Sequence, residues 1–158
     1  MKRLALLFVF LAAIALIMVD AQAVLAQQAQ GKAPAAGGQV KPKTVKVDRN
    51  GDGVPDRTEV YADNGDIQRV ESDTNNDGKI DEWIYYEERV PVKAQKDTNA
   101  DGKPDTTIYY VKGVVIRTES DTNGDAKIDE WVYYSNGKPS KAEKDTNADG
   151  KPDTWIDY

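Results

Sequence analysis

Aspartate and asparagine recur along this chain at spacings that could hold a metal ion. Five nine-residue segments share the pattern Asp-x-Asn-x-Asp-Gly-x-x-Asp, with alanine in place of glycine in the fourth. The pattern sets carboxylate and amide oxygens at positions 1, 3, 5 and 9, which is the ligand spacing of a calcium loop. We number the segments loops 1 to 5; they cover residues 48–56, 73–81, 97–105, 121–129 and 145–153.

The spacing suits calcium because this ion takes six to eight oxygens with little directional demand. Alternate residues of an extended loop converge on one point, so positions 1, 3 and 5 can share an ion. Position 6 requires a sharp turn with positive φ, which glycine adopts at no steric cost. Only loop 4 departs there, with Ala126, so we expect loop 4 to be the weakest site.

Position 7 would contribute a main-chain carbonyl, and position 9 often binds through water. A bidentate glutamate at position 12 normally closes the cage, and only loop 1 has one, Glu59. Water or a carboxylate of a neighbouring repeat must complete the other sites, which predicts weak affinity, roughly 10⁻⁴ to 10⁻³ M. The candidate ligands are Asp48, Asn50, Asp52, Val54, Asp56, Glu59, Asp73, Asn75, Asp77, Lys79, Asp81, Asp97, Asn99, Asp101, Lys103, Asp105, Asp121, Asn123, Asp125, Lys127, Asp129, Asp145, Asn147, Asp149, Lys151 and Asp153.

These loops resemble the EF-hand-type calcium motif in the form used by dockerins and thrombospondin type 3 repeats, where aspartate-rich loops lie outside a full helix-loop-helix. The likeness covers nine of about 24 residues per repeat and implies calcium as the bound ion. The dockerin helices and the thrombospondin-type cysteines have no counterpart here. The flanking Trp-Ile-Tyr-Tyr and Asn-Gly-Lys segments instead resemble bacterial aromatic β-hairpin repeats.

An ion-free explanation of the loops is also open, since Asp, Asn and Gly are ordinary turn formers. A cation other than calcium is a third alternative. Five copies that keep the same donors at positions 1, 3, 5 and 9 favour calcium over both.

Short segments rich in aromatic and β-branched residues follow each loop and predict β-strands. They are 58–61, 83–86, 107–110, 131–134 and 155–158. After each of the first four comes a turn, clearest at Asn64-Gly65 and Asn136-Gly137. A second strand then follows, at 67–71, 92–95, 114–118 and 140–143.

Chaining these hairpins predicts an all-β fold, an antiparallel meander of nine or ten strands in a single extended or curled sheet. All calcium-type loops then fall along one edge and all tight turns along the other. Neighbouring loops are two strands apart, so their ions would lie about 10 Å apart. That spacing is about one Debye length, so empty acidic loops repel one another, and we expect cooperative, calcium-dependent folding.

The repeats also alternate in pairs. Loops 2 and 4 follow serine and precede Glu, whereas loops 3 and 5 follow lysine and precede Thr. The repeating unit is therefore 48 residues, two hairpins, and stacked units bury a face that none could bury alone.

The strand tryptophans and tyrosines alternate so that both sheet faces carry large rings. Cross-strand packing is the simpler interpretation. A platform for a cell-envelope glycan or protein is the alternative, since rows of Trp and Tyr stack on sugar rings.

The N-terminus predicts export. Lys2 and Arg3 precede an apolar run of 16 residues and then small residues, which is typical of a secretory signal peptide over 1–26. We expect it to begin with a signal helix, with an uncleaved membrane anchor as the alternative. A disordered linker of Gln, Ala, Gly, Lys and Pro follows over 27–43, and the repeat domain covers 44–158. The chain would be secreted or periplasmic, and not integral to a membrane after cleavage.

Composition argues against several functions. There is no histidine or cysteine, so imidazole and thiol chemistry are unavailable. Carboxylate pairs recur identically in every repeat, whereas an active site is normally unique, so we do not expect an enzyme. The formal net charge of −6 argues against nucleic acid as a partner. The sequence therefore predicts a calcium-binding repeat protein with a structural or adhesive role, or alternatively an envelope or carbohydrate-binding module whose calcium is only structural.

Overall fold

The structure is a computed structural model that describes residues 43–158. This part of the chain consists of ten β-strands, with no helix among the described residues and so none that could cross a membrane. The predicted signal peptide, 1–26, and residues 27–42 of the predicted linker lie outside the described residues. Lys43, the last residue of the predicted linker, is the first residue of the first strand. The strands are β1 Lys43–Val47, β2 Arg57–Tyr61, β3 Ile67–Ser72, β4 Glu82–Glu87, β5 Val90–Lys96, β6 Thr106–Val111, β7 Val114–Ser120, β8 Glu130–Ser135, β9 Lys138–Lys144 and β10 Thr154–Asp157.

The ten strands form one open antiparallel sheet in chain order. Each strand pairs with the next, and within residues 43–158 no strand pairs with the outer edge of β1 or β10. The predicted all-β meander is confirmed. The five loops connect β1–β2, β3–β4, β5–β6, β7–β8 and β9–β10, so they share one end of the strands, and the tight turns share the other.

Three of the four tight turns are two-residue hairpins with positive φ at both central positions, the arrangement that matches strand twist. Lys112-Gly113 and Asn136-Gly137 carry glycine at the second position, as such turns favour. Glu88-Arg89 adopts the same conformation, with φ of 50° and 66°, without glycine.

The turn after β2 is longer than its Asn-Gly pair suggests. Only Gly65 has positive φ there, and its amide donates to the Ala62 carbonyl at 2.9 Å. The Ala62 amide in turn donates to the Asp66 carbonyl at 2.8 Å. The predicted turn exists at this place, but Asn64-Gly65 is part of a five-residue connection.

One face of the sheet, here called the core face, holds two rows of side chains that run across the strands. The apolar row lies at mid-strand, and its members are buried from Val70 on β3 to Ala142 on β9. In register order it contains Val45, Glu59, Val70, Ile84, Ala94, Ile108, Thr118, Val132, Ala142 and Ile156.

The second row of the core face, the polar row, lies next to the loops. It runs Arg57, Ser72, Glu82, Lys96, Thr106, Ser120, Glu130, Lys144 and Thr154 in register order. The pattern Ser-Glu-Lys-Thr repeats every four strands, which correspond to one 48-residue unit. Within a unit, Glu and Lys lie opposite each other on one hairpin, and Thr and Ser lie opposite each other on the next.

The opposite face, here called the outer face, carries two further rows. The tryptophan row contains Trp83, Trp131 and Trp155, interleaved with Glu71, Gln95, Glu119 and Glu143. The tyrosine row alternates aromatic rings with cations: Lys93 lies 4.3 Å from the Tyr85 ring centroid, Arg117 4.6 Å from Tyr109 and Lys141 5.6 Å from Tyr133. The outer face therefore carries large aromatic rings in two neighbouring rows.

Candidate metal centre

A main-chain hydrogen bond joins the two ends of a loop where it meets its flanking strands. In loops 2 to 5, the amide of the position-9 aspartate donates to the carbonyl of the residue just before the loop, at 2.7–2.9 Å. This bond closes loops 2 to 5 at the same point, so these four loops begin and end alike.

The position-9 carboxylate holds the start of its own loop. In loop 3, Asp105 accepts the Thr98 amide at 2.7 Å and the Thr98 hydroxyl at 2.8–2.9 Å. Loops 2, 4 and 5 repeat this contact with their own threonine, and in loop 1 the amides of Arg49 and Asn50 donate to Asp56. Position 9 therefore has a structural role that the spacing alone did not indicate.

The position-1 carboxylate organises the middle of the loop. One of its oxygens accepts the position-6 amide in every loop, at 2.7–2.9 Å. In loops 1, 2 and 4 its other oxygen accepts the position-4 amide at 2.6–2.7 Å. Such side-chain to main-chain bonds are the ordinary chemistry of aspartate in turns.

Positions 3 and 5 each form a short local ring. The Asn Oδ1 at position 3 accepts the position-5 amide at 2.8–2.9 Å in all five loops. The Asp Oδ1 at position 5 accepts the position-7 amide at 2.7–2.9 Å. The position-7 residues, Val54 and the four lysines, are thus held by their amides.

Two positions of every loop have positive φ, although the sequence indicated only one. Position 6 is glycine in four loops, and Ala126 adopts the same conformation in loop 4 with φ of 67°. Position 4 is also positive throughout, including Ala100 and Ala148 at 62° and 59°. The glycines at position 4 of loops 1 and 4 were the available sequence signal.

Loop 3 contains an oxygen with no hydrogen-bond partner. Asp97 is 6% exposed, and its Oδ2 accepts the Gly102 amide at 2.7 Å. Its Oδ1 is buried and has no hydrogen-bond partner. A buried carboxylate oxygen in that condition is costly unless a charge or donor satisfies it.

Glu59, the candidate position-12 ligand of loop 1, lies on β2 in the apolar row. Its Oε1 accepts Arg57 Nε at 2.9 Å and its Oε2 accepts the Tyr61 hydroxyl at 2.5 Å. Burial raises the pKa of Glu59, but the bonds from Tyr61 and Arg57 outweigh it and hold the pKa below the usual range. Ligation by Glu59 stays a prediction and would require both bonds to be released.

Neighbouring loops are joined directly through the backbone. The position-1 amide of each of loops 2 to 5 donates to the position-9 carbonyl of the preceding loop at 2.8–2.9 Å, as Asp73 does to Asp56. The end of one acidic loop thus lies beside the start of the next, and the loops form a continuous acidic ridge. Sequence spacing predicted the row but not this contact.

The donor set of each loop fits a hard cation in kind. Within residues 43–158, no three Asp, Glu, His or Cys side chains come close enough together to form a metal cluster by themselves. A loop-bound ion would therefore also need the position-3 amide oxygen, the position-7 carbonyl and water, all of which calcium accepts.

The loop hydrogen bonds also affect protonation. The Thr146 hydroxyl that donates to Asp153 is the largest reason why the pKa of Asp153 lies below its usual range. At Asp121, burial raises the pKa, but the amides of Gly124, Ala126 and their neighbours outweigh it and the pKa is lowered. Both carboxylates are thus ionised at neutral pH.

Comparisons with known proteins define no family. No model of a known protein family matches the chain, and no curated protein does. Among solved structures, the Staphylococcus aureus TarM G117R mutant, in complex with fondaparinux, α-GlcNAc-glycerol and UDP, is similar with a TM-score of 0.38 and 12% identity, over 75% of this chain and 20% of that one. A second TarM structure matches with a TM-score of 0.35 and 14% identity, over 72% and 19%. The chain spans about a fifth of the length of these structures.

Proposed function

We propose that this chain is an exported calcium-binding repeat protein with a structural or adhesive role, in which calcium orders the loops and stabilises the sheet. The observation that carries the proposal is the acidic ridge, in which five loops repeat one conformation. Its strongest single point is the buried, unpartnered Oδ1 of Asp97, which a cation would satisfy.

The residues of a loop divide into two groups under this proposal. Positions 1, 3 and 5 contribute side-chain oxygens and position 7 a carbonyl. Position 9 fixes the start of the loop and reaches the ion through water. Calcium supplies charge neutralisation and no chemical step, and we also propose that the protein is not an enzyme.

The acidic ridge explains why calcium would stabilise the whole sheet. Each loop is hydrogen-bonded through its backbone to the next loop, as at Asp56 and Asp73. Because this contact holds two acidic loops side by side, their carboxylates repel one another at short range. Neutralising one loop lowers the electrostatic cost of ordering the next, and binding and folding are coupled by linkage.

The direct test is calcium titration calorimetry on metal-stripped protein, with far-UV circular dichroism on the same samples. We expect about four or five ions per chain, given the loop count, and a gain of β structure. Magnesium serves as a control, because it keeps its waters more strongly and demands stricter geometry. Absence of binding heat together with identical spectra in calcium and in chelator would reject the proposal and favour ion-free turns.

A matched pair of variants tests which loops bind. Asp97→Ala should weaken calcium binding more than Asp121→Ala, because Asp97 is buried with a free oxygen whereas both oxygens of Asp121 already accept amides. Asp97→Asn keeps the size and should give an intermediate loss. Equal losses in Asp97→Ala and Asp121→Ala would contradict this ranking of the loops.

A second candidate function is glycan or envelope binding on the outer face, and one observation favours it. Trp155 is 60% exposed, and the tryptophan row shares its face with carboxylates and an amide that could bind sugar hydroxyls. Titration with soluble peptidoglycan fragments tests this candidate, with Trp155→Ala as the variant and Tyr158→Ala as an exposed aromatic control. Binding that survives Trp155→Ala unchanged would place the contact elsewhere.

A further inference from the structure

The sheet contains two types of strand, those that precede a loop and those that follow one. One edge strand, β1, is of the first type, and the other, β10, is of the second. Strands that precede a loop, such as β3, β5, β7 and β9, always hydrogen-bond on their far side to a strand that follows a loop. β1 precedes loop 1 and lacks such a partner within residues 43–158. β10 follows loop 5, and no strand among the described residues pairs with its far side.

We propose that β10 of one molecule pairs with β1 of a second copy, so that the meander continues from one chain to the next. The contact is head-to-tail, because it joins different surfaces of two identical chains. Such a heterologous interface leaves one edge free at each end and can grow into longer assemblies or close into a ring.

The interior register fixes how the two edges would meet. Thr106 lies opposite Ser120, the residue just before loop 4. The equivalent of Thr106 on β10 is Thr154, and the equivalent of Ser120 on β1 is Val47. Trp155 then lies opposite Lys46, Ile156 opposite Val45 and Asp157 opposite Thr44.

This register continues the rows of the sheet. Ile156, half-buried at present, would meet Val45 in the apolar row and gain the cover that leaves Ile84 only 1% exposed. Lys46 would meet the ring of Trp155, the arrangement seen between Lys93 and Tyr85. β1 carries Lys43 and Lys46 whereas β10 carries Asp157, so the edges also have opposite charges.

The backbone groups at the two edges match as well. The Asp73 amide donates to the Asp56 carbonyl in the interior, and the equivalent bond would join Asp48 of one copy to Asp153 of the other. Because alternate residues of a strand bond to opposite neighbours, the amides of Lys46 and Thr44 on β1 and of Trp155 on β10 face the free edges. Lys46→Pro and Trp155→Pro should therefore remove outward bonds while the inner pairing stays intact.

Sedimentation velocity on the full chain and on these two variants tests the proposal. We expect the wild type to show a mass that rises with concentration, and each proline variant alone to stay monomeric. Mixed in equal amounts, the two variants should form a dimer and nothing larger, because each retains the edge that the other lacks. Circular dichroism confirms folding, and Lys46→Arg should assemble like the wild type.

A monomeric wild type at all concentrations would overturn the proposal. Self-association of Lys46→Pro alone would also overturn it, since that variant keeps only the β10 edge. If a proline variant does not fold, Lys46→Cys and Trp155→Cys provide a second route, because the chain has no other cysteine. Mild oxidation of their mixture should give mainly the disulfide-linked heterodimer, whereas a statistical mixture of homodimers and heterodimers would count against the register.

Discussion

Ala126 occupies a position at which the other four loops carry glycine, and its φ of 67° is a conformation that costs an L-residue energy. We predict that Ala126→Gly stabilises the sheet by about 1 kcal/mol in denaturant unfolding, because an L-residue with left-handed backbone conformation costs roughly that much. Removing the Cβ of residue 126 changes no hydrogen bond, because its main-chain amide still donates to Asp121.

The control for this change is Ala142→Gly. Ala142 is buried in the apolar row of β9, where glycine gains no backbone relief and loses packing, so we expect a destabilisation of about 1 kcal/mol. The same sign of effect in both variants would contradict the assignment of strain to loop 4.

The raised pKa of Tyr61 should make the stability of the sheet depend on pH in the alkaline range. Burial, followed by the hydrogen bond to Glu59, raises the pKa of Tyr61 to about 12. A tyrosine of the unfolded chain ionises near pH 10, about where model tyrosines do. The stability contributed by the neutral phenol is therefore present below about pH 10 and is lost as pH rises toward about 12.

We predict that Tyr61→Phe reduces the slope of unfolding free energy against pH in that alkaline range. Denaturant unfolding at a series of pH values measures it, with Tyr158→Phe, an exposed tyrosine, as the control. An unchanged slope in Tyr61→Phe would show that burial and the bond to Glu59 do not raise the pKa of Tyr61 in solution.

At this scale the sequence identified the loop residues but not all of their roles. The pattern named the aspartates at position 9 as ligands, and the structure gives them bonds to the first amides of the loop, as from Asp105 to Thr98. Ala100 and Ala148 adopt positive φ because the loop hydrogen bonds impose it, against the local preference of alanine. Such effects of the surrounding structure leave little trace in a local pattern.

At the scale of the strands, one of the two hairpins in each 48-residue unit carries a Glu-Lys ion pair. Lys144 Nζ lies 2.6 Å from Glu130 Oε1 on the core face, and the Glu130 side chain is only 8% exposed. The neighbouring hairpin places Thr106 and Ser120 at the same two positions, with their hydroxyls 3.4 Å apart. The three hairpins from β4 to β9 therefore carry a charged, a neutral and a charged pair in the polar row, whereas the β2–β3 hairpin places Arg57 opposite Ser72.

We predict that Lys144→Ser destabilises the sheet by about 3 kcal/mol, because it leaves the buried Glu130 charge without its cation. The double variant Glu130→Thr with Lys144→Ser reproduces the Thr-Ser pair and should unfold close to the wild type. Denaturant unfolding of the three chains measures both effects. A double variant no more stable than Lys144→Ser would show that the row does not act as matched pairs.

Most strands could be predicted from the sequence, because short segments rich in aromatic and β-branched residues between loops and turns are typical of strands. The strand predicted at 92–95 begins earlier, at Val90, since the turn before it is a tight one at Glu88-Arg89. No local preference signals that turn, as neither residue favours positive φ. By contrast, strand order alone predicted that the loops lie at one end of the strands and the tight turns at the other.

The whole sheet behaves as a linear array, since strands pair only with their neighbours in sequence. Deleting residues 73–120 joins Ser72 to Asp121 and recreates the Ser-Asp junction that precedes loops 2 and 4. We predict that this six-stranded chain folds, with an unchanged β spectrum per residue and a lower denaturant midpoint.

The matched control removes residues 73–108, which ends the deletion inside β6 and leaves β3 without a following loop. That chain should lose cooperative unfolding. If both deletions unfold alike, stability does not divide into neighbour interactions.

The chain-order pairing also has a consequence for how the molecule forms. Every strand finds its partner across a loop or turn of no more than nine residues, so no segment has to wait for a distant one to be synthesised. Closing so short a connection takes about 10–100 ns and forming a hairpin about 1–10 μs. Folding can thus keep pace with emergence of the chain, each new hairpin being added to a finished edge, and a long-lived, half-paired intermediate is avoided.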